Sequence, residues 1–332
     1  MKALVFDSFG SSHVLEYREI PNTPIPMGPN DVLVRTRAIG LNFADIYRRQ
    51  GRYHIAGGPP YIAGYEGAGE VVEIGSNVTH SNSDLENIKI GDLIGFADVP
   101  YANAEYVVVP YEKAIPLPSE ISCELAASVL LQGLTAHYLT RDSYPVKAGT
   151  VALVHAAAGG VGQLLTQMIV MLGGQVIGLT SSQEKAQIAL QCGASHVFLY
   201  SDPEWQQHVL QVTKNGEGVD VVYDSVGSTL MDSFKVTRTC GHVVFYGMAG
   251  GDPVHVDPRM LMDTSKTLTG GDLWNYLTSR AERVRRAHEL FSWISQHKIQ
   301  VAEPTKFKLE EGRLAHEYLE SRKSTGKIIL LP

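Results

Sequence analysis

The stretch Val151-Ala-Leu-Val-His-Ala-Ala-Ala-Gly-Gly-Val-Gly162 passes from an apolar strand pattern into a glycine-rich turn. Its first four residues are aliphatic without alternating polar residues, which is typical of a parallel strand buried on both faces. Ala157, Gly159 and Gly162 then occupy the three glycine positions of the pattern G-x-G-x-x-G, with alanine at the first. Helix-like sequence follows, so the stretch predicts a strand, a tight turn and a helix over residues 163–172.

The sequence around this turn has the spacing of a dinucleotide-binding βαβ unit. The helix pattern is followed by Gly173-Gly174 and by a second strand pattern, Gln175 to Thr180, which completes a unit of about 30 residues. In such a unit the second glycine lets the backbone approach a pyrophosphate, and the third lets the helix pack closely on the strand. The helix N-terminus offers backbone N–H groups to the phosphates. We interpret the stretch as a dinucleotide site; a glycine turn without a ligand is the alternative.

The end of the second strand distinguishes between the two nicotinamide dinucleotides. NAD enzymes carry an Asp or Glu there, which binds the ribose 2′-hydroxyl. This chain has Thr180-Ser-Ser-Gln183 and then Lys185, so hydroxyls stand where a carboxylate would repel a 2′-phosphate, and a cation follows to neutralise it. Glu184 is the opposing charge, and we interpret Ser181 and Glu184 as a capping box whose carboxylate turns back to the helix N-terminus. The predicted coenzyme is therefore NADPH.

Composition favours a cytoplasmic globular protein that binds neither nucleic acid nor a membrane. The 332 residues are enough for two domains, and 44% of them are hydrophobic and 19% charged. The net charge of −7 comes without a basic stripe, which disfavours nucleic acid. No apolar run reaches the ~18 residues of a membrane helix, and the N-terminus lacks a signal-peptide pattern. Cys123, Cys192 and Cys240 lie far apart, as expected in a reducing compartment without disulfides.

Two kinds of sequence pattern divide the chain. Up to about residue 125, short strand patterns separated by Gly, Pro and Asn predict a compact barrel-like domain. From there a helix is followed by strands that alternate with helices, which predicts an α/β protein with a doubly wound parallel sheet. The last part returns to helix and short strand patterns. We therefore predict a β-rich domain of residues 1–125 and 273–332, and a nucleotide-binding domain of residues 126–272.

Six separate segments carry a resemblance to a known family. They span nearly the whole length and comprise Asn42–Tyr53, Gly64–Gly69, Leu131–Ala136, Ala156–Gly162, Val222–Gly227 and Glu320–Gly326. With these motifs the chain resembles the medium-chain dehydrogenase/reductase superfamily, and within it the NADPH-dependent quinone oxidoreductases related to zeta-crystallin. The resemblance implies a GroES-like catalytic domain, a Rossmann domain that binds NADPH, and a cleft between the two domains. It also implies a homodimer, for which the sheet edge near Val243 to Gly247 and the following strand are candidate contacts.

Metal ligands distinguish the branches of this superfamily. Its alcohol dehydrogenases hold a catalytic zinc with Cys and His, and where they carry Gly-His-Glu this chain has Gly64-Tyr65-Glu66. In place of their Cys-rich turn, Asn42 to Tyr47 contains no cysteine. Residues 80–110 likewise contain none of the four cysteines of their structural zinc. The chain is therefore predicted to bind no metal.

A reaction without a metal to polarise a carbonyl requires a substrate that accepts hydride readily, as a quinone does. We therefore predict an NADPH-dependent quinone reductase in which the protein holds the coenzyme against the acceptor. A reductase of α,β-unsaturated aldehydes or ketones is the alternative enzyme. The alternative outside catalysis is an NADPH-binding protein that is crystallin-like or contacts RNA.

The resemblance also implies which residues form the site. The catalytic candidates are Tyr47, Tyr53, Asn42 and Asp45. The tyrosines are expected to stack on a flat substrate and to donate a hydrogen bond to its carbonyl oxygen; packing in the core or at a domain interface is their alternative role. For the other two the alternative is a helix cap. The coenzyme candidates are Asn42, Thr135, Gly159, Gly160, Val161, Ser181, Ser182, Lys185, Tyr200, Ser225, Phe245, Tyr246, Gly247, Met248, Gly271, Asp272, Leu273 and Arg322.

Two of these coenzyme candidates have an alternative structural role, and a third differs from the residue that relatives carry at the same position. Tyr200 has the alternative role of a core residue at a strand end, and Arg322 that of a solvated surface charge. Relatives often carry Thr-Arg-Pro where this chain has Gly271-Asp272-Leu273. Asp272 therefore puts a negative charge near the expected cleft where those relatives have a positive one.

Overall fold

The computed structural model describes residues 1–21, 26–78 and 87–332, which fall into two compact units. Unit 1 consists of Met1–Leu131, Leu277–Ser295 and Ala302–Pro332, and unit 2 of Gln132–Tyr276 and Gln296–Val301. The domain boundaries drawn from the sequence at residues 125 and 273 stay a prediction.

The chain up to residue 138 is rich in short strands. Those described are β1 (Lys2–Phe6), β2 (Glu16–Glu19), β3 (Asp31–Leu41), β4 (Tyr61–Ile62), β5 (Glu66–Ile74), β6 (Leu93–Ala97), β7 (Tyr106–Pro110) and β8 (Ile115–Pro116). Helix α1 spans Phe43–Arg49, and helix α2 spans Cys123–Tyr138 and continues into a π-helical turn, Leu139–Ser143.

Strands and helices then alternate. The elements are β9 (Val151–Val154), α3 (Gly160–Met171), β10 (Gln175–Thr180), α4 (Gln183–Gln191), β11 (His196–Leu199), α5 (Trp205–Gln211), β12 (Val219–Asp224), α6 (Leu230–Val236), β13 (Thr237–Phe245), α7 (Pro258–Thr264) and β14 (Thr267–Gly270). The C-terminal part adds α8 (Arg280–Ser295), β15 (Thr305–Lys308), α9 (Gly312–Glu320) and β16 (Ile328–Leu331). Within the described ranges, no helix combines the length and apolarity of a membrane-spanning segment.

Unit 1 is built on a mainly antiparallel sheet with the strand order β15-β16-β3-β5-β6-β8, in which β7 also pairs with β3. Along β3, Val32, Val34 and Thr36 are buried and the residues between them are more exposed, so the two-residue period decides which side chains face the core. β16 runs antiparallel to β3 with Ile328 opposite Leu41. This register brings the start of the C-terminal strand next to the end of β3, where α1 begins.

Unit 2 is built on a parallel sheet with the strand order β11-β10-β9-β12-β13-β14. Ala152, Leu153 and Val154 of β9 are all fully buried, as the unbroken apolar run predicted. The chain moves outward from β9 to β11 on one side and from β12 to β14 on the other. The carboxyl ends of β9 and β12 therefore flank the topological switch point, where sheets of this kind bind ligands. The predicted α/β fold with a doubly wound parallel sheet is confirmed.

Two helix starts differ from the sequence prediction. Helix α3 begins at Gly160 rather than at the predicted Gln163. The low helix propensity of glycine placed the predicted start after Gly162, but packing against the sheet overrides that propensity. The coenzyme candidates Gly160 and Val161 thus lie in the first turn of the helix. Helix α1 was not predicted as an element, although a helix cap at Asn42 was considered; the segment spans only Phe43–Arg49, too short for a clear period.

Candidate active site

The glycine turn of unit 2 has the geometry of a phosphate-binding turn. Gly159 is the N-cap of α3 and so brings no side chain to cap the first helical N–H groups. A Cβ on Gly162 would lie 2.3 Å from the Ala156 carbonyl oxygen, so only glycine permits this close packing. A Cβ on Gly159 would meet only that same oxygen, at 3.1 Å, and otherwise fills open space. The turn therefore fits a pyrophosphate that approaches the backbone at Gly159.

The backbone strain of the turn falls on Ala156. This residue has φ +48°, in the left-handed region that residues with a Cβ rarely adopt. Its N–H donates to the Tyr200 hydroxyl oxygen at 2.9 Å, and that hydroxyl also lies 3.1 Å from Nδ1 of His155. The half-buried Tyr200, a coenzyme candidate, thus already uses its hydroxyl to hold the turn. Its ring is the part that remains for contact with an adenosine.

The capping box predicted at the end of β10 is wrong, because the helix N-cap lies one residue further along the chain in the structure. Ser182, not Ser181, is the N-cap of α4, and its Oγ accepts the Lys185 N–H at 3.3 Å. The strand conformation extends through Ser182, with φ −155° and ψ 165°, so the helix begins one residue later than the pattern indicated. The Glu184 carboxylate accepts a hydrogen bond from the Ser182 hydroxyl, and this bond holds the pKa of Glu184 below its usual value.

The same strand end fits a ribose 2′-phosphate. Thr180 to Gln183 contain no carboxylate, Ser181 is exposed, and Lys185 is half-buried one turn into the helix. Burial lowers the pKa of the Lys185 ammonium. An anion beside it would offset that cost of burial, which is the arrangement expected of a lysine that binds a phosphate.

The other coenzyme candidates of unit 2 follow the carboxyl ends of neighbouring strands or lie in α2. They are Thr135, which is buried in α2, Ser225 after β12, Phe245 to Met248 at and after the end of β13, and Gly271 to Leu273 after β14. Carboxyl ends of parallel strands meet at one edge of a sheet, so the strand-end candidates share that edge with the glycine turn. Asp272 accepts the Trp274 N–H at 3.3 Å, and Leu273 is buried.

In unit 1, Asn42 and Asp45 form the start of α1. Asn42 is the N-cap, and its backbone N–H donates to Asp45 Oδ2 at 2.9 Å. Asp45 is buried and faces the Arg48 guanidinium at 3.4 Å. Burial raises the pKa of Asp45, against the attraction of Arg48. The helix-cap role considered for both residues is therefore present in the structure.

The Asn42 side chain belongs to a buried polar cluster that also contains Glu66 and Lys327. Its Nδ2 donates to Glu66 Oε2 at 2.8 Å, and its Oδ1 accepts from Lys327 Nζ at 2.8 Å. Lys327 Nζ also lies 2.6 Å from Glu66 Oε2, and Glu66 Oε1 accepts the Leu131 N–H at 2.7 Å. Glu66 and Lys327 were not among the predicted site residues. A lysine at the start of an apolar terminal strand was the available signal.

The two tyrosine candidates have different surroundings. Tyr53 is half-buried, and its ring lies 4.9 Å from the guanidinium carbon of Arg48, which also stacks at 3.5 Å on the Tyr65 ring. Tyr47 is half-buried beside Phe43, with the ring centroids 6.3 Å apart. Arg48, which packs against the Tyr53 ring, is only 2% exposed and was not among the predicted site residues either. Arg322 is exposed in a left-handed conformation, with φ +59°.

The described residues contain no cluster of the side chains that usually bind a metal ion. Over residues 1–21, 26–78 and 87–332, no three His, Cys, Asp or Glu side chains come together as metal ligands. At the position where the alcohol dehydrogenases carry a histidine, the Tyr65 hydroxyl accepts the Ala56 N–H at 2.8 Å. A metal-free site stays a prediction.

Two family profiles and several full-length relatives match this chain. A profile of the alcohol dehydrogenase GroES-like domain matches residues 28–119, and one of the zinc-binding dehydrogenases matches residues 160–293. The chain is 40% identical to a quinone oxidoreductase of Pseudomonas aeruginosa, covering 100% of this chain and 99% of that relative. It is 35% identical to a 2-haloacrylate reductase of a Burkholderia species over 92% of each chain. The structure of Escherichia coli quinone oxidoreductase complexed with NADPH superposes with a TM-score of 0.93 at 36% identity, covering 100% of each chain.

Proposed function

The chain belongs to the quinone oxidoreductase family of the medium-chain dehydrogenase/reductase superfamily, and from this premise we propose how its residues carry out NADPH-dependent quinone reduction. The predicted resemblance, the GroES-like domain with a Rossmann-like sheet, the enzyme class and the coenzyme are confirmed. The single observation that carries the assignment is the full-length similarity to quinone oxidoreductases, one of which has been solved with NADPH.

Unit 2 binds the coenzyme at the edge formed by its strand ends. Gly160 and Val161 contact the pyrophosphate through the backbone N–H groups of the first helical turn. Gly159, whose own N–H donates to the Ala156 carbonyl oxygen at 2.8 Å, contacts it through the open space at its Cα. Ser181, Ser182 and Lys185 contact the 2′-phosphate, which the absence of a carboxylate at residues 180–183 supports. The remaining contacts of unit 2 in this proposal are those of Thr135, Tyr200, Ser225, Phe245, Tyr246, Gly247, Met248, Gly271, Asp272 and Leu273. Asn42 and Arg322 of unit 1 complete the proposed set.

Unit 1 provides the residues for the quinone. NADPH supplies the hydride when bound, and the quinone oxygen that gains negative charge then needs a hydrogen-bond donor. We assign this role to the Tyr53 hydroxyl, with Tyr47 beside it as a second aromatic contact. Asn42 and Asp45 position α1, which carries Tyr47, because their polar atoms are bonded to neighbouring buried groups.

A second acceptor class is supported by one similarity. The chain is 35% identical to a 2-haloacrylate reductase, whose named substrate is an alkene activated by a conjugated carbonyl group. Such an acceptor also takes up the charge of an added hydride on its own carbonyl oxygen. Reduction of activated alkenes by the same site is therefore the second candidate function.

The test is a steady-state assay of the purified protein with a panel of quinones and enones, each with NADPH and with NADH. We expect oxidation of NADPH with quinones and a higher kcat/KM for NADPH than for NADH. Tight NADPH binding without its oxidation by any acceptor would instead support a non-enzymatic NADPH-binding protein. Metal analysis of the same preparation tests the metal-free site, and one equivalent of tightly bound zinc would overturn it.

A homodimer is the proposed assembly. The edge strand on this side of the parallel sheet is β14, whereas the predicted contact near Val243 to Gly247 includes the end of β13, the next strand inward. Unpaired edge strands present N–H and C=O groups to a second copy. Met262 and Val254, which precede β14, are 73% and 56% exposed. The Gly271 N–H donates to Phe245 of β13, so the N–H of Gly270, one residue earlier, faces away from β13. Light scattering of a Gly270→Pro variant, which removes this outward N–H, tests the pairing; an unchanged dimer mass would contradict it.

A cytoplasmic location also remains our proposal. Cys123, Cys192 and Cys240 are all free thiols, which fits a reducing compartment. Fractionation of cells that express the protein tests the location, and recovery outside the cytoplasm would contradict it.

A further inference from the structure

A buried hydrogen-bond network lies beneath the glycine turn of unit 2. It consists of Ala156, Tyr200, His155, Ser233 and Asp224, and we name it the His155 network. His155 is fully buried at the end of β9, and both of its ring nitrogens have partners: Nδ1 lies 3.1 Å from the Tyr200 hydroxyl, and Nε2 lies 3.0 Å from Ser233 Oγ. Ser233 Oγ in turn lies 2.7 Å from Asp224 Oδ2.

The distances allow one consistent arrangement of protons. The Ser233 hydroxyl has one proton, which goes to the carboxylate at 2.7 Å rather than to the Thr229 carbonyl at 3.2 Å. Ser233 Oγ then accepts a hydrogen bond from the Nε2–H of His155. Nδ1 of His155 is left as an acceptor, so the Tyr200 hydroxyl donates to it and uses its oxygen to accept the Ala156 N–H.

The burial of His155 favours a neutral imidazole. Burial lowers the pKa of His155, against the attraction of Asp224 and of Asp232. Burial works to raise the pKa of Asp224, but the hydrogen bonds that the carboxylate accepts from the Ser233 hydroxyl and from two backbone N–H groups hold that pKa below its usual value. Among the described residues, the Tyr200 hydroxyl and the Trp205 ring, whose centroid is 6.2 Å away, also face the imidazole, and both are uncharged.

The two ends of the network reach two segments that we assign to the coenzyme site. At one end, Tyr200 fixes Ala156, the left-handed residue from which the chain enters the turn at Gly159. At the other end, Asp224 Oδ1 accepts the Val226 and Gly227 N–H groups at 2.8 and 3.0 Å and so fixes the loop that carries Ser225.

We propose that His155 is a positioning residue which, in its Nε2–H tautomer, holds the glycine turn and the Ser225 loop in their binding geometry before NADPH arrives. The proposal rests on the coenzyme site described above. Its physical basis is preorganisation: a turn that is already fixed loses less conformational freedom on binding. His155 acts through Tyr200 and through Ser233 and Asp224, and the proposal requires no contact between the imidazole and the coenzyme.

The first measurement uses the unaltered protein without coenzyme. Nitrogen-15 NMR of histidine-labelled protein, with the signal assigned by its loss in His155→Gln, reports which ring nitrogen carries the proton. We expect a proton on Nε2, none on Nδ1, and no change of state between pH 8 and pH 5. A protonated Nδ1, or an imidazole that titrates in this range, would overturn the proposal, and this outcome does not depend on the stability of a variant.

The second measurement is the Kd of NADPH by titration calorimetry. Ser233→Ala removes the link between His155 and Asp224, and Ser233 is not among the residues assigned to the coenzyme. Thr237→Val is the matched control, because it removes a buried hydroxyl that donates to the Ser233 carbonyl at 2.7 Å and lies outside the network. We expect a Kd raised about five- to tenfold for Ser233→Ala, the weight of one hydrogen bond, and less than about twofold for Thr237→Val.

The two proposals fail in different ways. Equal Kd values for Ser233→Ala and Thr237→Val would overturn the role of the His155 network while leaving the coenzyme site intact. Absence of NADPH binding by the unaltered protein would overturn the coenzyme site itself. Hydrogen exchange of the Ala156 amide gives an independent readout, which we expect to become faster in Ser233→Ala and to stay unchanged in Thr237→Val.

Discussion

Asn42 and Lys327, 285 positions apart in the chain, share a hydrogen bond of 2.8 Å in the buried interior of unit 1. The register of β16 against β3 explains this contact. The two strands are antiparallel and Ile328 lies opposite Leu41, so the residue before Ile328 meets the residue after Leu41. Lys327 also pairs with Glu66, so a cation from the C-terminus neutralises a carboxylate that is 0% exposed. The last strand thus completes the polar cluster on which α1 begins.

Lys327→Met is expected to destabilise the protein by about 3–5 kcal/mol, because it leaves the Glu66 carboxylate buried without a neutralising cation. Glu66→Gln combined with Lys327→Met removes both charges and is expected to recover a large part of that loss. Urea unfolding of the two single variants and the double variant gives the coupling between the residues. Additive losses in the double variant would show that the ion pair does not account for the stability of the cluster.

Tyr53→Phe is expected to lower kcat/KM for quinones about three- to tenfold, the weight of one neutral hydrogen bond, while the Kd of NADPH stays unchanged. The ring itself stays over the Arg48 guanidinium, so the variant removes the hydroxyl alone. Tyr17→Phe, in β2 of the same unit, is the control. Unaltered kinetics of Tyr53→Phe across several quinones would exclude its hydroxyl from the reaction.

The glycine turn was predictable because its pattern is local. Strand, turn and helix follow one another within the quoted stretch, and the hydroxyl-rich end of β10 lies one unit further along the chain. The predicted N-cap at Ser181 was wrong by one residue, because the cap depends on where the strand conformation ends, and two adjacent serines fit the pattern equally well.

The polar interior of unit 1 was not predictable in the same way. Glu66 and Lys327 meet only through the register of a sheet that joins residues 261 positions apart. Arg48 appears in the sequence as one of two adjacent arginines on a polar segment, and such residues are usually exposed. Its burial between Tyr53 and Tyr65 follows from the path of the chain after α1, which no local period encodes.

Lys185→Glu is expected to lower kcat/KM for NADPH by one to two orders of magnitude, the weight of a charged hydrogen bond, with a much smaller effect for NADH. The physical reason is repulsion between the new carboxylate and the 2′-phosphate. Lys214→Glu makes the same change of charge at an exposed position of unit 2 and serves as the control. An unchanged ratio of kcat/KM for the two coenzymes in Lys185→Glu would remove this residue from the 2′-phosphate site.

His316→Asn is expected to flatten the dependence of stability on pH. Burial, together with the Arg49 cation, lowers the pKa of His316 to about 3, whereas an unfolded histidine titrates near ~6.5. As pH falls below ~6.5, His316 takes up a proton in the unfolded chain but stays neutral in the folded chain. The free energy of unfolding therefore decreases toward pH 3 by up to ~1.4 kcal/mol per pH unit. The asparagine keeps an acceptor for Arg49, whose Nη1 lies 3.2 Å from Nδ1 of His316, but cannot titrate.

The measurement for His316 is the free energy of unfolding in urea at several pH values between 4 and 7. His196→Asn, at an exposed histidine, is the control and is expected to leave the slope unchanged. Parallel curves for His316→Asn and the unaltered protein would contradict the buried, neutral histidine.

Gly159→Ala and Gly162→Ala are expected to separate coenzyme binding from folding, although the two glycines lie in the same turn. Gly159 has φ −76°, which alanine adopts freely, and its added methyl group would meet only the Ala156 carbonyl oxygen at 3.1 Å. The fold should therefore tolerate Gly159→Ala with little change in Tm. The methyl group would, however, occupy the space that we assign to the pyrophosphate, so the Kd of NADPH should rise by tenfold or more.

In Gly162→Ala the methyl group would lie 2.3 Å from the same Ala156 carbonyl oxygen and 2.8 Å from Ala157 Cα, so α3 must move from the sheet and Tm should fall. Thermal unfolding without coenzyme and titration with NADPH measure the two effects, and normal NADPH binding by a stable Gly159→Ala protein would show that the pyrophosphate does not approach the turn at this residue.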